Sequence, residues 1–368
     1  MVSSYDTEIL QPDEGITKAV ETLLRGELVA FPTETVYGLG AIGIFPEAVA
    51  EIFRVKGRPQ DNPLILHFSS PKAMEPYIES ISPYFEPLSK ALMPGPLTLI
   101  MPVTTIVPRE VTAGLKTLGV RCPSDPTAQA LLRAIPGELP LAAPSANLSG
   151  QPSPTLAQDV YEDLQGKIPY ILDGGASRVG LESTILDLTD PEGLRILRPG
   201  FISEELIATV LDAEGLDYHF ASSTPGTPGN EQSSAPKSPG LKYRHYAPRT
   251  AVTILEGKNV TERLQAYEDW FNNVSATPKA VYGSLNFVEA LQELSEAKPI
   301  RIFKPDSGED PFLAQAASLF RVFREADRLG IQELAVEAMS EGPIATAYMN
   351  RLSRAADASV SHNDPPHA

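Results

Sequence analysis

The chain has 368 residues, 42% of them apolar and 21% charged, an ordinary globular composition with length for about two domains. Its net charge of −17 repels a phosphate backbone at long range and argues against a protein built mainly to grip nucleic acid, while leaving room for a local basic pocket. A single cysteine, Cys122, excludes a disulfide framework, a cysteine-rich zinc site and a CxxC redox pair. The five histidines are scattered and form no HExxH motif. No apolar run approaches the roughly 20 residues that cross a bilayer, and the N-terminus lacks a basic-then-apolar secretory pattern. A cytoplasmic protein is expected.

In chain order, TKAVETLLRG (17–26) has helical periodicity, ELVAFPT (27–33) reads as a strand, and PEAVAEIFRVKG (46–57) is a second helix. PLILHF (63–68), PLTLIMP (96–102) and VGLESTILDL (179–188) read as strands, with a helix over TAQALLRAI (127–135). Residues 222–248 are rich in Pro, Gly and Ser and read as a linker, ending in the aromatic and basic run Lys242-Tyr243-Arg244-His245-Tyr246. Strands at 252–257, 279–284 and 300–305 then alternate with helices around 260–274, 285–297 and 311–329. LAVEAM (334–339) follows, and a last helix covers 345–356. The fold class is α/β. The expected organisation is a catalytic domain over 1–220, a linker over 221–249, a smaller parallel-sheet domain over 250–358, and a frayed tail over 359–368.

Residues 38–43, Gly-Leu-Gly-Ala-Ile-Gly, spell GxGxxG. A dinucleotide site needs those glycines at a strand–helix turn with an acidic residue ending the next strand, and both are missing. A glycine-rich turn where backbone passes close to a neighbour is the preferred reading.

PTETVYGLG (32–40) offers hydroxyls and backbone N–H groups to a polar ligand, against the bland alternative of a threonine-rich strand end. Lys56-Gly-Arg58-Pro-Gln-Asp-Asn62 places a compact cation, a planar fork of donors and an amide at a helix end, a combination suited to phosphates. Thr117-Leu-Gly-Val-Arg121 sets an arginine beside a short apolar strand. Ser145-Ala-Asn147-Leu-Ser-Gly-Gln-Pro-Ser153 is a small-residue loop fit to wrap a nucleotide, or equally to cap a helix. Leu-Glu-Ser183-Thr and Ile-Leu-Arg198-Pro-Gly complete the series. Three arginines and one lysine on separate segments suit a basic pocket if they converge.

Taken together, PTETVYGLG, KGRPQDNPLILH, PGPLTLI, LGVRCP, APSANLSGQPSPT, LESTILDL and LRPG resemble the YrdC-like family. SPGLKYRHYAP and the second α/β segment resemble that family's long, two-domain form. The likeness spans about residues 10–357, with the KxR and SxN signature at Lys56/Arg58 and Ser145/Asn147. It implies a YrdC-like twisted open α/β sheet with a concave pocket, joined to a smaller Rossmann-like domain. It also implies a reaction: L-threonine, bicarbonate or CO2 and ATP give threonylcarbamoyl-AMP and pyrophosphate for tRNA modification.

The resemblance assigns Thr35, His67, Arg121 and Ser183 to L-threonine. It assigns Lys56, Arg58, Asn62, Thr117, Ser145, Asn147, Ser153 and Arg198 to ATP, with Lys56 and Arg58 as the catalytic cations. Tyr243, Arg244, His245 and Tyr246 resemble a lid, Tyr246 being the nucleotide contact. His67 has a competing reading as a hydrogen-bonded strand-end histidine. Mg2+ is expected to accompany ATP, without a dedicated protein cage. The expected partners are the substrates and the machinery that transfers the threonylcarbamoyl group, with direct tRNA binding weak or absent and no membrane. Two other readings remain: a carbamoyltransferase of hydrogenase maturation, which the single cysteine disfavours, and a non-enzymatic RNA- or nucleotide-binding module, which the net charge disfavours.

Overall fold

The computed structural model describes residues 5–221, 246–274, 278–294, 300–306 and 308–360. The described chain divides into two compact units. Residues 5–149, 154–178 and 182–221 form the first, and 150–153, 179–181 and the residues from 246 onward form the second. Most of the 221–249 linker, including Tyr243, Arg244 and His245, lies outside the described residues, as does most of the proposed tail.

The first unit is built on ten strands: β1 (Glu8–Leu10), β2 (Val29–Phe31), β3 (Gly38–Ile42), β4 (Ile65–His67), β5 (Leu97–Pro102), β6 (Thr117–Arg121), β7 (Leu141–Ala142), β8 (Tyr170–Leu172), β9 (Thr184–Asp187) and β10 (Arg195–Arg198). Their order is β1-β8-β2-β3-β7-β4-β6-β5-β9-β10, with parallel and antiparallel pairs mixed. Helices pack against it through apolar faces. The core combines Leu39, Ile52, Phe53, Leu66, Leu99 and Val120, all buried.

Local chemistry sets the helix ends. The helix Pro46–Lys56 opens with proline at its first position and Glu47 in its first turn. It closes with Arg54 and Lys56 in the last turn, and Gly57 caps it at φ 61°. That left-handed cap turns the chain and leaves Lys56 on the final helical position. The helix Pro126–Ala134 starts where the Asp125 side chain accepts the N–H groups of Thr127 and Ala128.

Several expectations need correction. Residues 38–42 are not a turn but strand β3, antiparallel to β2. The glycines have the anticipated cause, since a Cβ on Gly40 would stand 2.9 Å from the Phe31 ring and one on Gly38 3.2 Å from it. The 179–188 strand shrinks to Thr184–Asp187, and residues 179–181 belong to the second unit. There Gly180, at φ 68°, passes so close to the Ala317 backbone that a Cβ would meet it at 2.3 Å. The first helix begins at Pro12 and the last runs to Val360.

The second unit holds β11 (Ala251–Leu255), β12 (Lys279–Tyr282), β13 (Arg301–Phe303) and β14 (Glu333–Glu337), all parallel, in the order β11-β14-β12-β13. The expected parallel α/β sheet is present. The last strand, however, inserts between the first and second, whereas a Rossmann sheet keeps 3-2-1 adjacent. Leu255, Val281 and Ala335 from the strands and Trp270 and Phe287 from the helices form its core.

Candidate active site

One lateral row of residues organises the first unit. Leu141 on β7 pairs with His67 on β4, His67 with Arg121 on β6, and Arg121 with Thr98 on β5. Residues directly opposite one another project to the same face of a sheet, about 5 Å apart. The row therefore gathers His67, Arg121 and Thr98 at one level.

Two further residues join it. Arg121 Nη2 donates to Thr35 Oγ1 at 2.8 Å, from the 32–37 loop between β2 and β3. Thr98 Oγ1 and Ser183 Oγ lie 2.8 Å apart, just before β9. The four residues assigned to L-threonine thus meet through β6 and β5, although up to 148 positions of sequence separate them. The Thr35 loop is itself fixed, because Thr33 Oγ1 donates to the Val36 carbonyl at 2.6 Å and stands 2.9 Å from Thr35 Oγ1.

The electrostatics of the row are specific. Arg121 is 4% exposed, and its Nη2 stands 3.0 Å from Glu34 Oε1, an ion pair between two buried side chains. Its Nε has no hydrogen-bond partner among the described residues. Burial, reinforced by the Arg121 charge, pushes His67 down to about 3, so the ring is neutral near pH 7. Its Nδ1 stands 3.2 Å from the Ile65 carbonyl, and its ring and that of Phe31 form a T-shaped pair. Burial also raises the neighbouring Cys122 thiol to about 11, which removes it as a nucleophile.

The cations assigned to ATP are held by backbone. Lys56 Nζ donates to the carbonyls of Ser145, at 2.5 Å, and Asn147. Ser145 Oγ donates to Asn147 Oδ1 at 2.5 Å, and the Ser149 N–H to the Lys56 carbonyl at 2.9 Å. The KxR and SxN signatures, 87 positions apart from Arg58 to Ser145, therefore form one knot. Arg58 closes its own loop through the Asn62 and Pro63 carbonyls, at 3.2 and 2.9 Å, while Asn62 Oδ1 is buried without a hydrogen-bond partner among the described residues. Arg198 donates from Nε to the Ser183 carbonyl and from Nη2 to Ser183 Oγ, both at 3.1 Å.

Thr117, Ser153 and Tyr246 make none of these contacts among those described. Thr117 lies four residues from Arg121 along β6, ~13 Å at the usual strand rise. Ser153 and Tyr246 belong to the second unit. Tyr246 stacks on Phe320 with ring centroids 5.2 Å apart and lies beneath the Arg351 guanidinium.

Sequence reasoning missed Glu34 and Thr98. Glu34 stood in plain view between two threonines, and Thr98 was a lone hydroxyl in an apolar strand, which is itself the available signal. Tyr37, left outside the assigned set, proves to be a buried brace whose hydroxyl donates to the Gly175 carbonyl at 2.7 Å.

Residues 21–200 match the Sua5_yciO_yrdC family model, described as telomere recombination, and residues 202–357 match the model described as threonylcarbamoyl-AMP synthase, C-terminal domain. The chain is 40% identical to the threonylcarbamoyl-AMP synthase of Pyrococcus abyssi, over 90% of this chain and 91% of that protein. The chain belongs to the threonylcarbamoyl-AMP synthase family. The Bacillus subtilis member is 37% identical over 96% of both chains. The crystal structure of P. abyssi Sua5 complexed with L-threonine superposes with a TM-score of 0.81 at 38% identity, covering 97% of this chain and 98% of that one. Family membership makes the chain an enzyme, a transferase of tRNA modification. No helix among the described residues is long and apolar enough to cross a membrane.

Proposed function

We propose that the first unit carries the synthase site and that the lateral row binds L-threonine. One observation supports this most directly: the buried Arg121 guanidinium has an Nε donor without a partner among the described residues, next to the Thr35 hydroxyl and a neutral His67. A substrate carboxylate would satisfy that donor with a charge-assisted hydrogen bond, worth roughly 1.5–3 kcal/mol. That the P. abyssi relative was crystallised with L-threonine supports L-threonine as the ligand.

The neutral threonine amine captures CO2 and loses a proton to solvent, giving a carbamate whose oxygen forms the new bond to the α-phosphorus of ATP as the bond to pyrophosphate breaks. Both reactants are anionic, so the protein's task is to position them and offset charge. No activated side-chain nucleophile is required. Lys56 and Arg58 are assigned to the phosphates. Lys56 is tied to the Ser145 and Asn147 carbonyls and Arg58 to its own loop through the Asn62 and Pro63 carbonyls, which sets the cations before ATP arrives. Asn147 and Ser145, drawn in by Lys56, supply the adjoining nucleotide wall. Mg2+ enters with ATP, carried mainly by the phosphates and water. The product passes to a downstream enzyme that transfers the threonylcarbamoyl group to tRNA, in the cytoplasm.

The test is pyrophosphate release from MgATP with and without L-threonine and bicarbonate, with the product mass determined. Release that needs both co-substrates and yields threonylcarbamoyl-AMP supports the reading. Hydrolysis indifferent to L-threonine overturns it.

A further inference from the structure

We infer that Glu34 is a positioning residue for L-threonine, acting through Arg121 and not by touching the nucleotide. This rests on the placement of the substrate carboxylate at Arg121 and deepens it. Glu34 is 4% exposed, yet neither of its carboxylate oxygens accepts an aligned hydrogen bond among the described residues. Its only close opposite charge there is Arg121 Nη2, 3.0 Å from Oε1.

A buried carboxylate with so little hydrogen bonding is costly to the fold, and a better-packed neutral side chain would be expected if stability alone were served. The cost has an evident purpose. A guanidinium has five N–H donors in one rigid plane, so fixing one nitrogen fixes the direction of the others. Nη2 is held from two sides, by Thr35 Oγ1 at 2.8 Å and by Glu34. That aims Nε in a set direction before substrate arrives. Glu34 also supplies the counter-charge that keeps Arg121 buried in place when the pocket is empty. Thr35 and Glu34 are adjacent on a loop fixed by Thr33, so the clamp is built into the sequence segment 33–36.

The experiment compares Glu34→Gln, Glu34→Asp, Arg121→Gln and the double variant Glu34→Gln/Arg121→Gln in the full chain. L-Threonine binding is measured calorimetrically, and KM is measured for L-threonine and ATP separately. Glu34→Gln should weaken L-threonine at least tenfold and leave the ATP KM within twofold. Glu34→Asp, which keeps the charge, should recover much of the affinity. The double variant should bind no worse than Arg121→Gln, since Glu34 has nothing to position once Arg121 is gone. Equal weakening of both substrates with a lowered melting temperature would make Glu34 merely structural and overturn the inference. So would unchanged L-threonine affinity in Glu34→Gln while Arg121→Gln loses it. If Arg121→Gln itself binds L-threonine normally, the underlying placement fails instead.

Discussion

Arg198 grips Ser183 twice, through the carbonyl and through the hydroxyl, each at 3.1 Å. One side chain assigned to ATP thereby fixes the backbone and hydroxyl of one assigned to L-threonine. Ser183 in turn lies 2.8 Å from Thr98, which is paired in register with Arg121. A chain of hydrogen bonds and strand pairing thus runs from Arg198 to the centre of the lateral row.

Arg198→Lys keeps the charge but loses the two-point planar contact. It should raise the KM for both L-threonine and ATP, each by about fivefold, matching the ~1 kcal/mol a lost hydrogen bond typically costs. Separate substrate titrations of initial rate provide the check. A change confined to ATP would show that the Ser183 contact is incidental.

Lys56→Met should abolish pyrophosphate formation and also lower stability. The ammonium holds the Ser145 and Asn147 carbonyls, and each buried carbonyl left without a partner costs about 1–3 kcal/mol. Denaturant unfolding and single-turnover assays on the same preparation separate the two losses. Activity lost without any loss of stability would leave Lys56 acting on substrate alone.

His67 makes stability pH-dependent in a defined direction. Its folded value of about 3 lies below the ordinary 6.5, so below pH 6.5 the unfolded chain takes up a proton that the folded one refuses. Stability should therefore fall as pH drops from 6.5 towards 3, on the order of 1 kcal/mol per pH unit from this group. Urea titrations at pH 7 and pH 5 should show a smaller difference in His67→Asn than in the wild type. Histidine NMR should find the His67 ring neutral at both values.

Gly40→Val should destabilise the first unit by about 1–3 kcal/mol, because the added carbon starts 2.9 Å from the Phe31 ring. Phe31→Leu in the same chain should recover part of that loss. Chemical denaturation of the single and double variants measures the coupling.

The GxGxxG stretch shows how legible the fold was. Its glycines signalled close approach, but the partner was Phe31 on the adjacent strand, and only strand pairing could turn a presumed turn into β3. The helix Pro46–Lys56 was readable from its proline, its periodicity and its terminal glycine, because those signals act within a few residues. Short strands such as Leu141–Ala142 and Glu8–Leu10 carried too few residues for any period to register. The second unit's claim on residues 150–153 and 179–181 was likewise invisible. It depends on contacts such as Arg324 to the Pro152 carbonyl at 2.6 Å, across 172 positions.

The sequence by itself determined the family, the reaction class and the chemical types at the site, because ordered blocks of cations, hydroxyls and amides survive as linear patterns. Tertiary structure decided which of them meet. Register across β7, β4, β6 and β5 brought His67 and Arg121 side by side, and the turn after Thr33 delivered Thr35 and Glu34 to the guanidinium. Distance along the chain says nothing of such contacts, since hydrogen bonds and ion pairs depend on separations of about 3 Å in space. A buried charge acquires its role only from the groups that replace its water.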